Sequence, residues 1–319
     1  MKSFFLLTIS LLLFSTFLFS QEREFEFEKD TVKFTRDKLP AKYQVDTRID
    51  NMGYWKKMAE AGLVPVAPMT VAPAPIFKTS KIIAKGIATS NSPDVPVTTT
   101  NTTQSENSIF ASPADPALIL NSNNSTPNPS SGSVNGADAL YSSDSASTWG
   151  GTIQGPAGGN SGDPTTAISN TGRWFVGYIN STSGQSVAYS DNQGATWIAK
   201  VVATAPSGFN NMLDKNHMWI DNSTSSLYNG NLYNAWTTFG GSSDGEIGVS
   251  RSTDAGLTWK PVIHVSSAAN AGSHNQGVNI KTGVNGEVYV LWAIYDSWPS
   301  DEKALAIARS MAVDCKICG

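Results

Sequence analysis

The polar residues that could form a ligand site cluster in loop-like stretches of the second half of the chain. They combine carboxylates, amides, histidines, a lysine and a tryptophan. Such groups suit a carbohydrate, because carboxylates and amides hydrogen-bond sugar hydroxyls and an indole face covers a sugar ring. The same residue types are also common in ordinary loops, so both interpretations stay open. The candidate ligand-binding residues are Asp163, Asp214, Lys215, His217, Asp244, Glu246, His274, Asn275, Gln276, Asp296 and Trp298.

One short motif recurs three times between these stretches and sets the period of the chain. Its full form, Ser-Thr-Asp-Ala-Gly-Leu-Thr-Trp, begins at Ser252. An Asp or Asn side chain there can accept backbone N–H bonds, and Gly supplies a positive φ, so the motif predicts a tight hairpin with a buried Trp anchor. We expect a structural role for its residues. The three copies contain Ser142, Asp144 and Trp149; Ser190, Asn192, Gly194 and Trp197; and Ser252, Asp254, Gly256 and Trp259.

The motif resembles the Asp box of the sialidase-like, or BNR-repeat, β-propellers, where it joins the third and fourth strands of successive blades. The resemblance covers about residues 108–319. It implies an all-β propeller, six-bladed in that family, with a ligand face at the end opposite the boxes. It is less specific about activity, because the same box occurs in families that are not sialidases.

Aromatic residues of the predicted second strands repeat at a matching interval. Trp236 follows Tyr178 by 58 residues (236 − 178), and Trp292 follows Trp236 by 56 (292 − 236). This period fits four-stranded blades with generous loops. We expect blades at about 112–155, 160–204 and 213–267, and a fourth that begins near Asn275.

The predicted fourth blade lacks the motif where the repeat places it. Residues 311–319 contain neither its Gly nor its Trp, so the chain resembles an N-terminal fragment with about three to four blades. Cys315 and Cys318 form a lone C-x-x-C in this stretch. One cysteine pair cannot make a four-thiolate zinc site, and no His has finger spacing. We predict no metal and no cofactor.

The first 107 residues differ in composition from the rest. Lys2 and the apolar run that follows predict a signal peptide over residues 1–20, with a membrane tether as the alternative. Residues 21–107 form a leader region with one short helix near 52–63 and a Pro- and Ser/Thr/Asn-rich linker. The propeller takes 108–319. We expect a secreted or cell-surface protein with no stable membrane span after cleavage.

The sialidase resemblance can be tested on arginines. That family holds its substrate carboxylate with three arginines, attacks with a Tyr activated by Glu, and uses an Asp as acid/base. The Phe/Tyr-Arg-Ile-Pro motif is absent, and Arg173, Arg251 and Arg309 fall at strand ends away from the candidate loops. No catalytic residue can therefore be carried over.

Two functions from different classes remain. A net charge of −4 argues against a nucleic-acid partner. The favoured function is a module that binds a glycan or a cell-surface or extracellular protein. The alternative is an exo-α-sialidase-type glycoside hydrolase whose catalytic residues lie mostly in missing blades.

Overall fold

A computed structural model describes residues 45, 52–64, 95–99, 103–126, 136–153, 155–156, 160–266, 273–298 and 301–310. The described part contains one α-helix, α1 (Met52–Glu60), and fifteen strands. The strands are β1 Thr103–Ala111, β2 Ile119–Thr126, β3 Ala139–Ser142, β4 Gly150–Thr152, β5 Asn160–Ile168, β6 Trp174–Asn180, β7 Gln185–Ser190, β8 Ile198–Ala203, β9 Met212–Ile220, β10 Leu232–Phe239, β11 Ile247–Ser252, β12 Ile263–His264, β13 His274–Thr282, β14 Val288–Ser297 and β15 Asp301–Ser310.

The strands form four antiparallel sheets in which each strand pairs with the next along the chain. The first three sheets are β1–β4, β5–β8 and β9–β12, and the fourth contains β13–β15. Their first strands pack side by side, β5 between β1 and β9, and β9 between β5 and β13. Four meander sheets that contact through their innermost strands are propeller blades. The predicted all-β propeller with three to four blades is confirmed.

In the second, third and fourth blades, the second strand supplies the largest side chains of the core between blades. Every residue of β10 is buried, as are all but the last of β6. Trp174, Trp236 and Trp292 are at most 1% exposed. Strands β6 and β10 are buried on both faces because a neighbouring blade covers each face, which removes the alternation of buried and exposed residues that a half-exposed strand shows.

All three copies of the motif form the same turn. The side-chain Oδ1 accepts the backbone N–H four residues on: 2.8 Å for Asp144, 2.9 Å for Asn192 and 2.9 Å for Asp254. The preceding serine Oγ donates to the same Oδ1 at 2.7–2.9 Å in each copy. The turn residue has φ of +66° at Ala146, +85° at Gly194 and +84° at Gly256. The predicted acceptor role is confirmed.

The motif tryptophans correct one detail of that prediction. Trp149, Trp197 and Trp259 are half-buried rather than fully buried. Trp197 and Trp259 pack against the edges of blade cores, and both lie at the turn end of the blade where solvent reaches one side of the indole. The tryptophans therefore cover the end of each core instead of filling it.

The N-terminal part agrees with the sequence in one element and differs at one boundary. The short helix α1 is present, and Gly62 follows it with φ +71°, as expected for a C-terminal stop. However, β1 begins at Thr103, five residues before the predicted start at 108. Pairing with β2 orders polar residues that composition alone assigned to the linker. The predicted signal peptide, Cys315 and Cys318 lie outside the described residues.

Helix α1 packs on one end of the second and third blades. Tyr54 and Met58 are buried against Ile179, Met212 and Phe239. These three residues lie where β6 ends, β9 begins and β10 ends. We call this end of the blades, where the innermost strands begin, the mouth; the motif turns lie at the opposite end. Within the described residues, no helix is long and apolar enough to cross a membrane.

Candidate functional site

Each innermost strand carries a β-bulge close to the mouth. In all four strands, two residues lie opposite one residue of the second strand. The first bulge residues are Glu106, Asp163, Lys215 and Gly277, with φ of +53°, +53°, +51° and +68°. Positive φ is rare outside glycine, and bulges re-aim side chains next to functional sites. Equivalent backbone geometry in four blades therefore presents three charged residues and one glycine at the mouth.

The three charged bulge residues meet in one group, which we call the central cluster: Glu106, Asn124, Asp163, Asp214 and Lys215. The ammonium of Lys215 forms an ion pair with Glu106. Asn124 Nδ2 donates to Glu106 Oε2 at 3.0 Å and to Asp163 Oδ1 at 3.4 Å. The backbone N–H of Lys215 donates to Asp163 Oδ2 at 3.1 Å. The cluster thus joins the first three blades through side chains.

The cluster has a buried floor and an accessible rim. Asp163 is 3% exposed and Asp214 is fully buried. The side chains of Glu106 and Lys215 are 28% and 24% exposed. The side chains of Glu106 and Lys215 are therefore partly open to solvent, and Asp163 beneath them accepts from Asn124 and from the backbone N–H of Lys215.

Burial raises the pKa of all three carboxyls. Burial, and next a hydrogen bond to Asp163, raises the pKa of Glu106 to about 8. Burial and the charge of Asp214 raise that of Asp163 to about 7, and burial raises that of Asp214 to about 6. Burial lowers the pKa of Lys215, but the surrounding carboxylates outweigh it and the net direction is up. At neutral pH, the carboxyls share protons around a charged lysine.

Three of the eleven predicted site residues, Asp163, Asp214 and Lys215, belong to the central cluster. His217 does not join them. Its Nδ1 accepts the backbone N–H of Ile280 at 3.4 Å, which links the third and fourth blades. Burial, and next the charge of Lys281, lowers its pKa to about 4, so it is neutral and structural.

A second group of predicted residues forms an aromatic patch at the mouth of the fourth blade. The ring of His274 lies 5.2 Å from that of Trp298, which packs edge-on against Tyr295 at 4.5 Å. His274 Nε2 and Gln276 Oε1 are 3.1 Å apart. The patch offers a half-buried indole at the same end of the blades as the cluster.

The remaining predicted residues stabilise their own surroundings. Asn275 donates to the carbonyl of Gly245 at 2.7 Å and accepts the indole N–H of Trp292 at 2.8 Å, so it is part of the blade core. Asp244 caps its loop by accepting the N–H of Gly240. Two others are paired within the third and fourth blades: Glu246 with His264 and Asp296 with Lys303.

Sequence reasoning missed Glu106 and Asn124 because both lie in or near the stretch assigned to the linker or the loosely defined first blade. A signal for Glu106 is present: Ser105-Glu106-Asn107 occupies the place of Gly162-Asp163-Pro164 and of Asp214-Lys215-Asn216 in the innermost strands. Alignment of those strands, rather than of the turns, would have found it.

Two further observations concern metal ligands and arginines. Within the described residues, no group of three or more His, Cys, Asp or Glu could hold a metal ion. Arg173 lies at the turn end, where it bonds Asp191 at 2.6 Å and the carbonyl of Ala255 at 2.9 Å. It therefore ties two motif turns together, away from the mouth.

Comparisons with known proteins yield distant structural likenesses alone. No family model and no curated protein matches the chain. A protein of unknown function from Dyadobacter fermentans aligns at 15% identity over 66% of this chain and 62% of its own, with a TM-score of 0.45. An α-L-arabinanase from Penicillium chrysogenum, complexed with arabinobiose, aligns at 12% identity over 66% and 63%, with a TM-score of 0.44. A Hadza microbial sialidase aligns at 13% identity over 66% and 43%, with a TM-score of 0.43.

The chain thus spans less than two thirds of the length of each of these structures. Its class follows from its own strand order and blade contacts: an all-β propeller with four described blade-like sheets. Its mouth holds a cluster of three carboxyls and a lysine.

Proposed function

We propose that this protein is a secreted propeller that binds a glycan at its mouth. The central cluster carries the proposal, because it places accessible acceptors and donors from different blades in one group. Carboxyl oxygens of Glu106 accept hydrogen bonds from sugar hydroxyls, and the Lys215 ammonium donates to them. The aromatic patch at Trp298 supplies an apolar surface for a sugar ring at the same end.

The cluster is built for neutral, hydroxyl-rich ligands rather than for a strong anion. Its one cation, Lys215, is already paired with Glu106 and surrounded by Asp163 and Asp214. A ligand phosphate or carboxylate would meet three acidic groups there. Hydroxyls can donate to the carboxyls and accept from the lysine at once, so a polyol satisfies both kinds of group.

Binding of soluble polysaccharides tests the proposal. Arabinan, xyloglucan and a sialylated oligosaccharide would be titrated into the full chain by calorimetry. We expect at least one to bind, with affinity falling about tenfold or more in Glu106→Ala and Lys215→Met, because each variant removes a hydrogen-bonding group and a bond to a charged group such as Lys215 contributes about 1.5–3 kcal/mol. Asp191→Asn and Lys260→Met, which change charges outside the mouth, should bind like wild type. Binding that the cluster variants leave unchanged refutes the site.

A second candidate function is glycoside hydrolysis. The observation that favours it is a pair of neighbouring carboxyls, one on partly exposed Glu106 and one on buried Asp163. Burial raises the pKa of Glu106 to about 8. A carboxylic acid that stays protonated at neutral pH can protonate a leaving-group oxygen, with a second carboxyl as its partner. Release of reducing ends from the bound polysaccharide, lost in Glu106→Gln while binding persists, would support it. No release at any pH would leave binding as the function.

Sialic acid release is not part of either proposal. Arg173, Arg251 and Arg309 lie at the strand ends away from the mouth, so none is placed to pair with a substrate carboxylate there. We expect no turnover of a fluorogenic sialoside.

Export is proposed from the apolar N-terminal run, and N-terminal sequencing of the mature protein should give a start at Gln21.

A further inference from the structure

The face of the fourth blade that points away from the third blade carries a group of exposed aliphatic side chains. We call it the open face and define it by Leu291, Leu305 and Ile307, which are 41%, 69% and 64% exposed. Leu291 of β14 pairs with Ile307 of β15. Ala293, on the same face of β14, pairs with Leu305, so the apolar side chains are neighbours. A contiguous group of large apolar side chains on a protein surface marks a site of interaction.

The third blade buries the same three positions. The hairpins β10–β11 and β14–β15 begin with equivalent pairs, Leu232–Ser252 and Val288–Ser310, so their residues can be matched one by one. The matched residues of the third blade are at most 1% exposed, because the fourth blade packs on them in one core. The open face therefore has the position and residue type of a blade interface but lacks a covering blade within the described residues. The matches are Leu291 with Ala235, Leu305 with Ile247 and Ile307 with Val249.

The first blade does not offer a counterpart to the open face. In the other three blades, the fifth residue of the second strand packs back on the preceding blade and is aromatic: Tyr178, Trp236 and Trp292. The first blade has Asn123 at this place, where its Nδ2 donates to both carboxyl oxygens of buried Asp138 at 3.2 and 3.1 Å. A polar outer face is typical of a terminal repeat. Copies of the chain are therefore not built to stack head to tail, with a first blade on an open face.

We infer that the open face binds the open face of a second copy of this chain across a two-fold axis. Each copy then covers Leu305 and Ile307 of the other, as the fourth blade covers the third. The contact uses the same surface on both chains and closes after two of them, so it gives a dimer and not a filament.

Two charged residues of β15 set the orientation of the two copies. Glu302 lies near the mouth end of this strand and Arg309 near the turn end, and both are exposed. The guanidinium of Arg309 lies 5.4 Å from the centre of the Tyr289 ring, at the turn end of the open face. When two β15 strands stack in opposite directions, Arg309 of each copy lies over Glu302 of the other, and Leu305 lies close to the axis. The parallel arrangement would bring like charges together, which is unfavourable.

The size of the open face predicts a weak dimer. Its three strands have nine or ten residues each. With strands about 4.8 Å apart and a rise of about 3.4 Å per residue, the face measures roughly 14 by roughly 34 Å, or about 480 Å² per copy. A total of about 1,000 Å² is at the low end for a specific interface, so we expect a dissociation constant of about 1–100 µM.

Sedimentation velocity measures the association. The purified full chain would be studied at concentrations from about 1 to about 200 µM, which bracket the expected dissociation constant. We expect a reversible equilibrium between monomer and dimer without larger species. A monomer at every concentration would overturn the inference and leave the open face to a partner of another kind. A series of ever larger species would overturn the two-fold contact.

A pair of matched variants locates the interface. Leu305→Glu places two like charges near the axis and should weaken the dimer about tenfold or more. Because Leu305 is 69% exposed, this change should leave the thermal melt of the monomer unchanged. Val201→Glu is the control, since Val201 is 60% exposed on β8 of the second blade, outside the open face. An unchanged dimer in Leu305→Glu, or an equal loss in Val201→Glu, overturns the inference.

A charge exchange tests the orientation. Arg309→Glu and Glu302→Arg should each weaken the dimer several-fold, and the double variant should restore it, because the two side chains pair across the axis. No recovery in the double variant overturns the antiparallel arrangement of the copies. Glu106→Gln, at the central cluster, should dimerise like wild type, so the result is independent of glycan binding.

Discussion

Replacement of Asp163 by Asn should change how stability depends on pH. The pKa of Asp163 is about 7 in the folded chain and ordinarily 3.8, and burial is the main cause. The folded state therefore holds the proton more tightly than the unfolded state. The contribution of the Asp163 carboxyl to the free energy of unfolding is fully present below about pH 4 and is lost as pH rises through about 7.

The difference between 3.8 and about 7 corresponds to about 4 kcal/mol for an isolated group. Asp214 and Glu106 share protons with Asp163, so they also lose stabilising protons as pH rises. Part of the loss of stability therefore remains in a variant whose residue 163 is neutral. We expect Asp163→Asn to gain about 2 to 4 kcal/mol relative to wild type between pH 4 and pH 8. Asn also suits the backbone, since it tolerates the positive φ at this position.

Urea denaturation at pH 4, 5, 6, 7 and 8 measures this difference. The Asn side chain replaces one of the two acceptor oxygens, which bond Lys215 N–H and Asn124. The loss of this acceptor lowers the free energy of unfolding equally at every pH, so it does not change the slope of that free energy against pH. Asp191→Asn, whose carboxylate is 60% exposed, is the control and should follow wild type. Parallel curves for wild type and Asp163→Asn would refute the buried, shared-proton description of the cluster.

Three further predictions concern the scaffold. Asp254→Asn should fold and cost less than about 1 kcal/mol, because Asn192 makes the same turn and the side chain is only partly buried. Burial raises the pKa of Asp254, but hydrogen bonds from Thr258 and Ser252 outweigh it and hold the pKa at about 2, so wild type should lose its small advantage below about pH 4 in thermal melts. Trp259→Ala should cost about 2 kcal/mol by denaturant titration, less than a fully buried aromatic; a neutral effect would contradict its packing. Met58→Ala should expose α1 to protease while blade unfolding is unchanged, with exposed Glu60→Ala as control; unaltered cleavage would contradict helix docking.

Local features of this fold are visible in the sequence because their hydrogen bonds close within a few residues. The side chains of Asp144, Asn192 and Asp254 each accept the backbone N–H four residues on, so both partners of the bond lie within the motif and the turn can be predicted from it. The blade bounds follow from the turns and from the aromatic second strands. By contrast, Trp259 is half-buried because of what packs against it, which no local spacing records.

The candidate site was harder to predict because it depends on register between strands and blades. Asn275 reads as a ligand residue by type and place, yet it accepts the Trp292 indole inside a blade. Glu106 reads as part of a linker, yet it meets Lys215 from a strand more than a hundred residues away. Both outcomes are decided by which side chains a bulge directs inward, and a bulge is defined by the partner strand.

The repeated bulge also affects which substitutions such a protein can accept during evolution. Its first residue is already left-handed in every described blade, and at Gly277 an added Cβ would meet nothing within 4 Å. Asn or Asp could therefore enter there at little steric cost and place a further polar group at the mouth. Mutations at these four positions change the charge of the mouth while the aromatic packing between blades is inherited intact.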